Sequence, residues 1–217
     1  YHALFQGFLR HKLQTEAQGR AAALHRRAAE VLEAEGEWGA AFQHHMAAQE
    51  VPGAIRVALG AAKEMFEAGR LETLAQWIDQ LPADALAQVP QLIHYRGRIY
   101  RDCGDAARAL ELYDRALRGY EAQGDREALA DALADRAVCL RLLGRAREAI
   151  ESCRQALGIL ERLGGQTPLL MGNARRDLGI SLCQVGRVAE GTEELRQALD
   201  LYREAASSYG LALTHGD

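Results

Sequence analysis

Proline is scarce: the chain has four in 217 residues. Pro52, Pro82, Pro90 and Pro168 each stand where a helix begins or a connection runs, so none breaks a helical stretch. β-Branched residues are few, and no alternating apolar–polar run lasts long enough to define a strand. No apolar run approaches the ~18–20 residues that a membrane span requires. Positive charge is not in excess either. A net charge of −4 and a pI near 6.0 leave nothing to neutralise phosphates along a duplex, which excludes a nucleic-acid reader for this segment by itself. Cys103, Cys139, Cys153 and Cys183 lack C-x-x-C or metal-ligand spacing, and read as reduced packing residues of a cytoplasmic protein. Catalytic signatures are missing: there is no G-x-x-x-x-G-K-[ST], G-x-S-x-G or H-E-x-x-H, and no G-x-G-x-x-G in a βαβ setting. The expectation is a chain that is not an enzyme.

What the sequence has is alanine, leucine, glutamate and arginine in a helix-rich mixture, 48% of it hydrophobic. It also has punctuation. Gly36, Gly69, Gly104, Gly144 and Gly186 recur at steps of 33, 35, 40 and 42 residues. Seven positions before each stands a small residue: Ala29, Ala62, Gly97, Ala137 or Gly179. Five positions after stand Ala41, Leu74, Ala109, Ala149 and Gly191, and twelve after stand Ala48, Leu81, Ala116, Ala156 and Ala198. Glycine ends a helix cheaply, and small residues let two helix backbones approach. A period in this range with helix–turn–helix punctuation predicts a stacked array, which presents a long concave surface suited to binding. Helices are expected at 20–35, 38–49, 52–68, 71–80, 91–103, 105–122, 127–143, 145–163, 168–185 and 187–207, with Asp105 and Thr167 as N-caps. Tyr100, Tyr113, Leu140, Leu182 and Leu195 fill the bulky packing positions.

The small–bulky–small columns resemble the tetratricopeptide repeat, most clearly in 97–117, 137–157 and 179–199. That resemblance implies an all-α fold: a right-handed superhelical solenoid of about five tetratricopeptide-like helix pairs. A second resemblance runs through YHALFQGFLRHKL (1–13), LHRRAAEVLEAEGEWGAAFQHHMAAQE (24–50) and LETLAQWIDQLPADALAQVPQL (71–92). In order and spacing these are similar to the MalT-like, LuxR-type bacterial transcriptional regulators of the signal-transduction ATPase family. The chain departs from that pattern at His44–His45, where a glutamate-rich or single-histidine stretch is more usual. The resemblance implies that 1–17 end a preceding winged-helix segment and that 18–217 form the repeat domain, truncated at its C-terminus. It implies a sensor that receives a small-molecule inducer or a regulatory protein, and ATP as a cofactor of the parent regulator only. With no initial methionine, the chain reads as a fragment, and its unfinished last hairpin offers a face for self-association.

In such a stack the first helix of each pair lines the concave wall. The ligand- or partner-binding candidates there are Arg26, Lys63, His94, Arg98, Arg101, Arg141, Asn173, Arg176 and Gln184. Arg98, Arg141 and Arg176 stand on successive first helices, a ladder suited to carboxylates, phosphates or sugar hydroxyls. The competing reading is an arginine engaged in salt bridges within the array. No metal site is expected, because His25, His94 and His215 lack a partner at i+3 or i+4, while His44 and His45 point about 100° apart on one helix. Apart from the regulator, the sequence fits a generic protein–protein interaction scaffold.

Overall fold

A computed structural model of the chain describes residues 18–164 and 167–205, and every regular element in them is helical. The expected winged-helix remnant at 1–17 lies outside the described residues, as does the C-terminal end from 206. The chain divides into two compact units, 1–86 and 87–217, at the connection read from Pro82 to Pro90.

The first unit holds α1 (Gln18–Ala34), α2 (Trp38–Ala47), α3 (Val51–Glu67), α4 (Leu71–Gln80) and the single turn α5 (Ala83–Leu86). The second holds α6 (Pro90–Asp102), α7 (Ala106–Gln123), α8 (Arg126–Leu142), α9 (Ala146–Arg162), α10 (Pro168–Gln184) and α11 (Val188–Glu204). The described residues thus form five helical hairpins, two in the first unit and three in the second. None of these helices is long and apolar enough to cross a membrane.

One turn design closes every hairpin. The five repeat glycines all take positive φ, between 70° and 85°. At Gly104 the glycine amide bonds to Arg101 O at 2.9 Å and the next amide, of Asp105, reaches back to Tyr100 O at 2.8 Å. This pair of bonds satisfies carbonyls that the helix end leaves open. The residue after the glycine is also the N-cap of the next helix, so the chain reverses within very few residues. Asp105 completes its cap by accepting from Arg108 N at 3.1 Å. Asp125 does the same for α8, accepting from Ala128 N at 3.1 Å. Thr167 occupies the N-cap position of α10 but makes no side-chain cap bond.

The small columns are the places where helices touch. Ala29, Ala62, Ala109, Ala116, Ala149, Ala156 and Ala198 are completely buried. A Cβ on Gly97 would lie 2.8 Å from the Tyr113 ring. At Gly179 and Gly191 the obstacle is main chain: a Cβ would stand 2.8 Å and 2.6 Å from the other glycine's carbonyl oxygen. In the first unit Phe42 stacks on Trp77, centroids 4.7 Å apart, and so joins α2 to α4. In the second unit the first helices of successive hairpins, α6 with α8 and α8 with α10, pack directly on each other. On the opposite side an open groove of about 810 Å³ separates α7 from α9. The first helices of the second unit thus stand side by side as a wall.

Because a backbone oxygen cannot swing aside, Gly191→Ala is expected to lower stability by about 1–3 kcal/mol, and Ala109→Trp by at least as much. Thermal or urea melts check both; unchanged midpoints would contradict the register.

Candidate functional site

The wall formed by α6, α8 and α10 carries most of the expected binding residues. Arg26 and Lys63 do not belong to it: they lie in the first unit. Arg26 is exposed, with Nε 3.4 Å from Glu50, and Lys63 is exposed, with Nζ 3.9 Å from Glu67.

On the wall the charges are already engaged. Arg98 donates from Nε to Asp135 Oδ2 at 2.5 Å and from Nη2 to Asp131 Oδ2 at 2.6 Å. Arg101 donates from Nη1 to Asp135 Oδ1 at 2.6 Å and from Nε to Asp102 Oδ1 at 2.9 Å. His94 is buried, with Nε2 2.9 Å from Asp135 Oδ2 and Nδ1 3.2 Å from Tyr120 Oη. A carboxylate only accepts, so Nε2 carries the proton. A neutral ring then leaves Nδ1 to accept from the Tyr120 hydroxyl. Asp135 is thus the acceptor for three groups of the preceding hairpin. His94, Asp131 and Asp135 also offer ligand atoms within 4.8 Å of one another. Two guanidiniums already hold those carboxylates, so they occupy the place a cation would take.

The next joint repeats this design incompletely. In the repeat frame Asp177 corresponds to Asp135, and Arg141 to Arg101. Arg141 Nη2 stands 3.9 Å from Asp177 Oδ1, and its buried Nε has no hydrogen-bond partner. Where the first joint has His94 and Arg98, the second has Ala134 and Val138. Asp177 is left with Arg176, its neighbour on the same helix, which donates from Nη2 to Oδ2 at 3.0 Å. Asn173 Oδ1 accepts from Tyr202 Oη at 2.8 Å. Gln184 ends α10, exposed, in a shallow cleft with Gly144 and Arg145.

Of the arginine ladder, Arg98 and Arg141 thus reach carboxylates of the next hairpin, while Arg176 pairs with Asp177 on its own helix. Sequence reasoning placed the arginines and missed Asp135 and Asp177 as their acceptors. The signal was available: both aspartates stand two positions before the small residue of their repeat, at Ala137 and Gly179. Of the four cysteines, Cys103 is exposed and Cys183 half-buried. Cys139 and Cys153 are buried, and burial pushes the Cys139 thiol up to about 12, which keeps it protonated.

Residues 88–162 match the model of the tetratricopeptide repeat family. Solved structures extend the likeness in fold across nearly the whole chain. The MamA protein superposes with a TM-score of 0.62 at 14% identity, over 88% of this chain and 97% of that one. BtubC (BKLC) from P. vanneervenii gives 0.64 at 18% identity, over 92% and 87%. YrrB, described as a TPR protein with an unusual peptide-binding site, gives 0.61 at 17% identity, over 96% and 97%. At these identities the likeness concerns fold.

The two aspartates respond to pH in opposite directions. Burial by itself would raise Asp135, but the charge of Arg98, the His94 hydrogen bond and the charge of Arg101 hold its carboxyl far below the usual range. Its contribution to stability is full above the unfolded pKa of about 3.9 and is lost as pH falls through the lowered value. Asp177 is raised by burial, which Arg176 and Arg141 do not offset. Its folded state favours the proton, so its contribution is greatest below about 3.9 and is lost as pH rises through the raised value. Asp135→Asn is expected to cost about 3 kcal/mol at pH 7, and Asp177→Asn at least about 2 kcal/mol less. Urea unfolding at pH 7 and pH 4 checks this, and equal losses at pH 7 would contradict it.

Proposed function

We propose that the chain is a non-catalytic interaction module that holds a peptide or protein segment on the face shared by α6, α8 and α10. The observation that carries this reading is the paired-charge lattice of that face. It fixes guanidiniums in place while leaving some of their donors uncommitted. Among the described residues Arg98 bonds through Nε and Nη2, and Arg101 through Nε and Nη1, so each has a terminal amino group left to meet peptide carbonyls or carboxylates. Half-buried Val138 and Ile180, at the Arg98 position of the next two repeats, add apolar contact. Donors fixed before binding lose little entropy when a ligand arrives, which favours affinity. The peptide-binding description of YrrB, a structure of similar fold, supports the same class of ligand.

The finer reading is a sensor segment of a MalT-like, LuxR-type regulator in the cytoplasm. What supports it is the order of the 24–50 and 71–92 motifs described above. In that reading an inducer or inhibitory protein binds one arrangement of the array better than another, because equal affinity for both shifts nothing. ATP and DNA would be handled elsewhere in the parent regulator.

Selecting peptides from a random display library against the purified chain, then mapping one by backbone amide shifts, tests the interaction reading. Shifts are expected to cluster on α6, α8 and α10. Arg141→Ala, whose one ion pair among the described residues is the long contact to Asp177, is expected to melt normally and to bind at least tenfold more weakly. Shifts confined to α7, α9 and α11 would contradict the proposal. Thermal shift of the intact parent with sugars and other metabolites tests the sensor reading separately.

A further inference from the structure

The first hairpin brings together two imidazoles that are 19 residues apart in sequence. Nδ1 of His25, on α1, lies 2.9 Å from Nδ1 of His44, on α2. The ring centroids are 4.9 Å apart and the planes are tilted by 47°. Both residues are half-buried, so solvent and small ions reach them. Their neighbours are engaged elsewhere. His45 is buried, with Nε2 3.2 Å from Glu33, and Arg26 lies beside Glu50.

Two neutral imidazoles that meet Nδ1 to Nδ1 hold one proton between them, because one ring must donate and the other accept. The same two nitrogens, both unprotonated, are a metal-ligand pair. The spacing selects the geometry. With metal–nitrogen bonds of about 2.0–2.1 Å, tetrahedral ligands stand about 3.3 Å apart, and ligands at a right angle about 2.9 Å apart. The separation found here matches the right angle. That is the angle of tetragonal Cu²⁺ and Ni²⁺ sites, not of tetrahedral Zn²⁺.

We propose that His25 and His44 form a two-imidazole site for Cu²⁺, completed by water or by ligands the ion brings with it. On binding, the ring that carried its proton on Nδ1 moves it to Nε2 by exchange with water. Both rings stay neutral and both Nδ1 lone pairs bind the metal. Copper heads the affinity order of the divalent first-row ions at such nitrogen sites. The bound ion links α1 to α2 and stabilises the hairpin by RT ln(1 + c/Kd), with c the free Cu²⁺ concentration.

The test uses Cu²⁺–iminodiacetate, whose chelator leaves adjacent positions open for two nitrogens and so disfavours lone histidines. It is titrated into the whole chain below one equivalent and followed by imidazole ¹⁵N spectra and electron paramagnetic resonance. The His25 and His44 ring signals are expected to broaden first, with a tetragonal copper spectrum showing two added nitrogens and a higher melting temperature. His25→Asn and His44→Gln are each expected to weaken uptake at least tenfold, while His215→Gln leaves it unchanged. Earlier broadening of another histidine, or unchanged uptake in both variants, overturns the assignment. The wild-type spectra decide the matter even if a variant folds poorly.

Discussion

Asp135 is the fixed point of the second unit. One carboxylate on α8 accepts from Arg98, Arg101 and His94, all on α6. A buried charge with this many partners is costly to leave half-satisfied, so the two helices are held to one register. Small residues such as Gly97 and Gly179 let the two helices of one hairpin meet, and the carboxylate ties the first helix of one hairpin to that of the next. Asp131 and Tyr120 extend the cluster, through Arg98 and His94 respectively.

The two joints of this unit show how side-chain substitutions within a constant frame alter behaviour. The aspartate and the arginine one turn along recur at Asp177 and Arg141, while His94 and Arg98 give way to Ala134 and Val138. Two donors are lost, the remaining contact stretches to 3.9 Å, and the direction of the carboxyl shift reverses. The backbone geometry is shared, yet one joint is clamped and the next is loosely held.

Much of the fold was legible in the sequence because its causes are local. A glycine at the end of a helix, a small residue seven positions earlier and an aspartate at a cap each act within one or two turns, so the hairpins and their boundaries followed from spacing. Gly124 and Gly164, which also take positive φ, fell outside the period used and were missed. Thr167 stands at the N-cap of α10 as expected, but its side chain makes no cap bond. The site was less legible. Its arginines could be placed on one face from the repeat alone, but their acceptors stand 33 to 37 residues away on another helix. The same reason hid the meeting of His25 with His44, since a search for partners at i+3 and i+4 examines one helix and this contact crosses a hairpin.

A double-mutant cycle on Arg101 and Asp135 reaches the central claim most directly, because it isolates the tie between α6 and α8 from the general effects of either substitution. Unfolding free energies at pH 7 of the parent chain, Arg101→Ala, Asp135→Ala and the double variant should give a favourable coupling of about 1–3 kcal/mol. A coupling near zero would show that the wall is not held by its paired charges, and would remove the physical basis for treating it as a preformed binding surface.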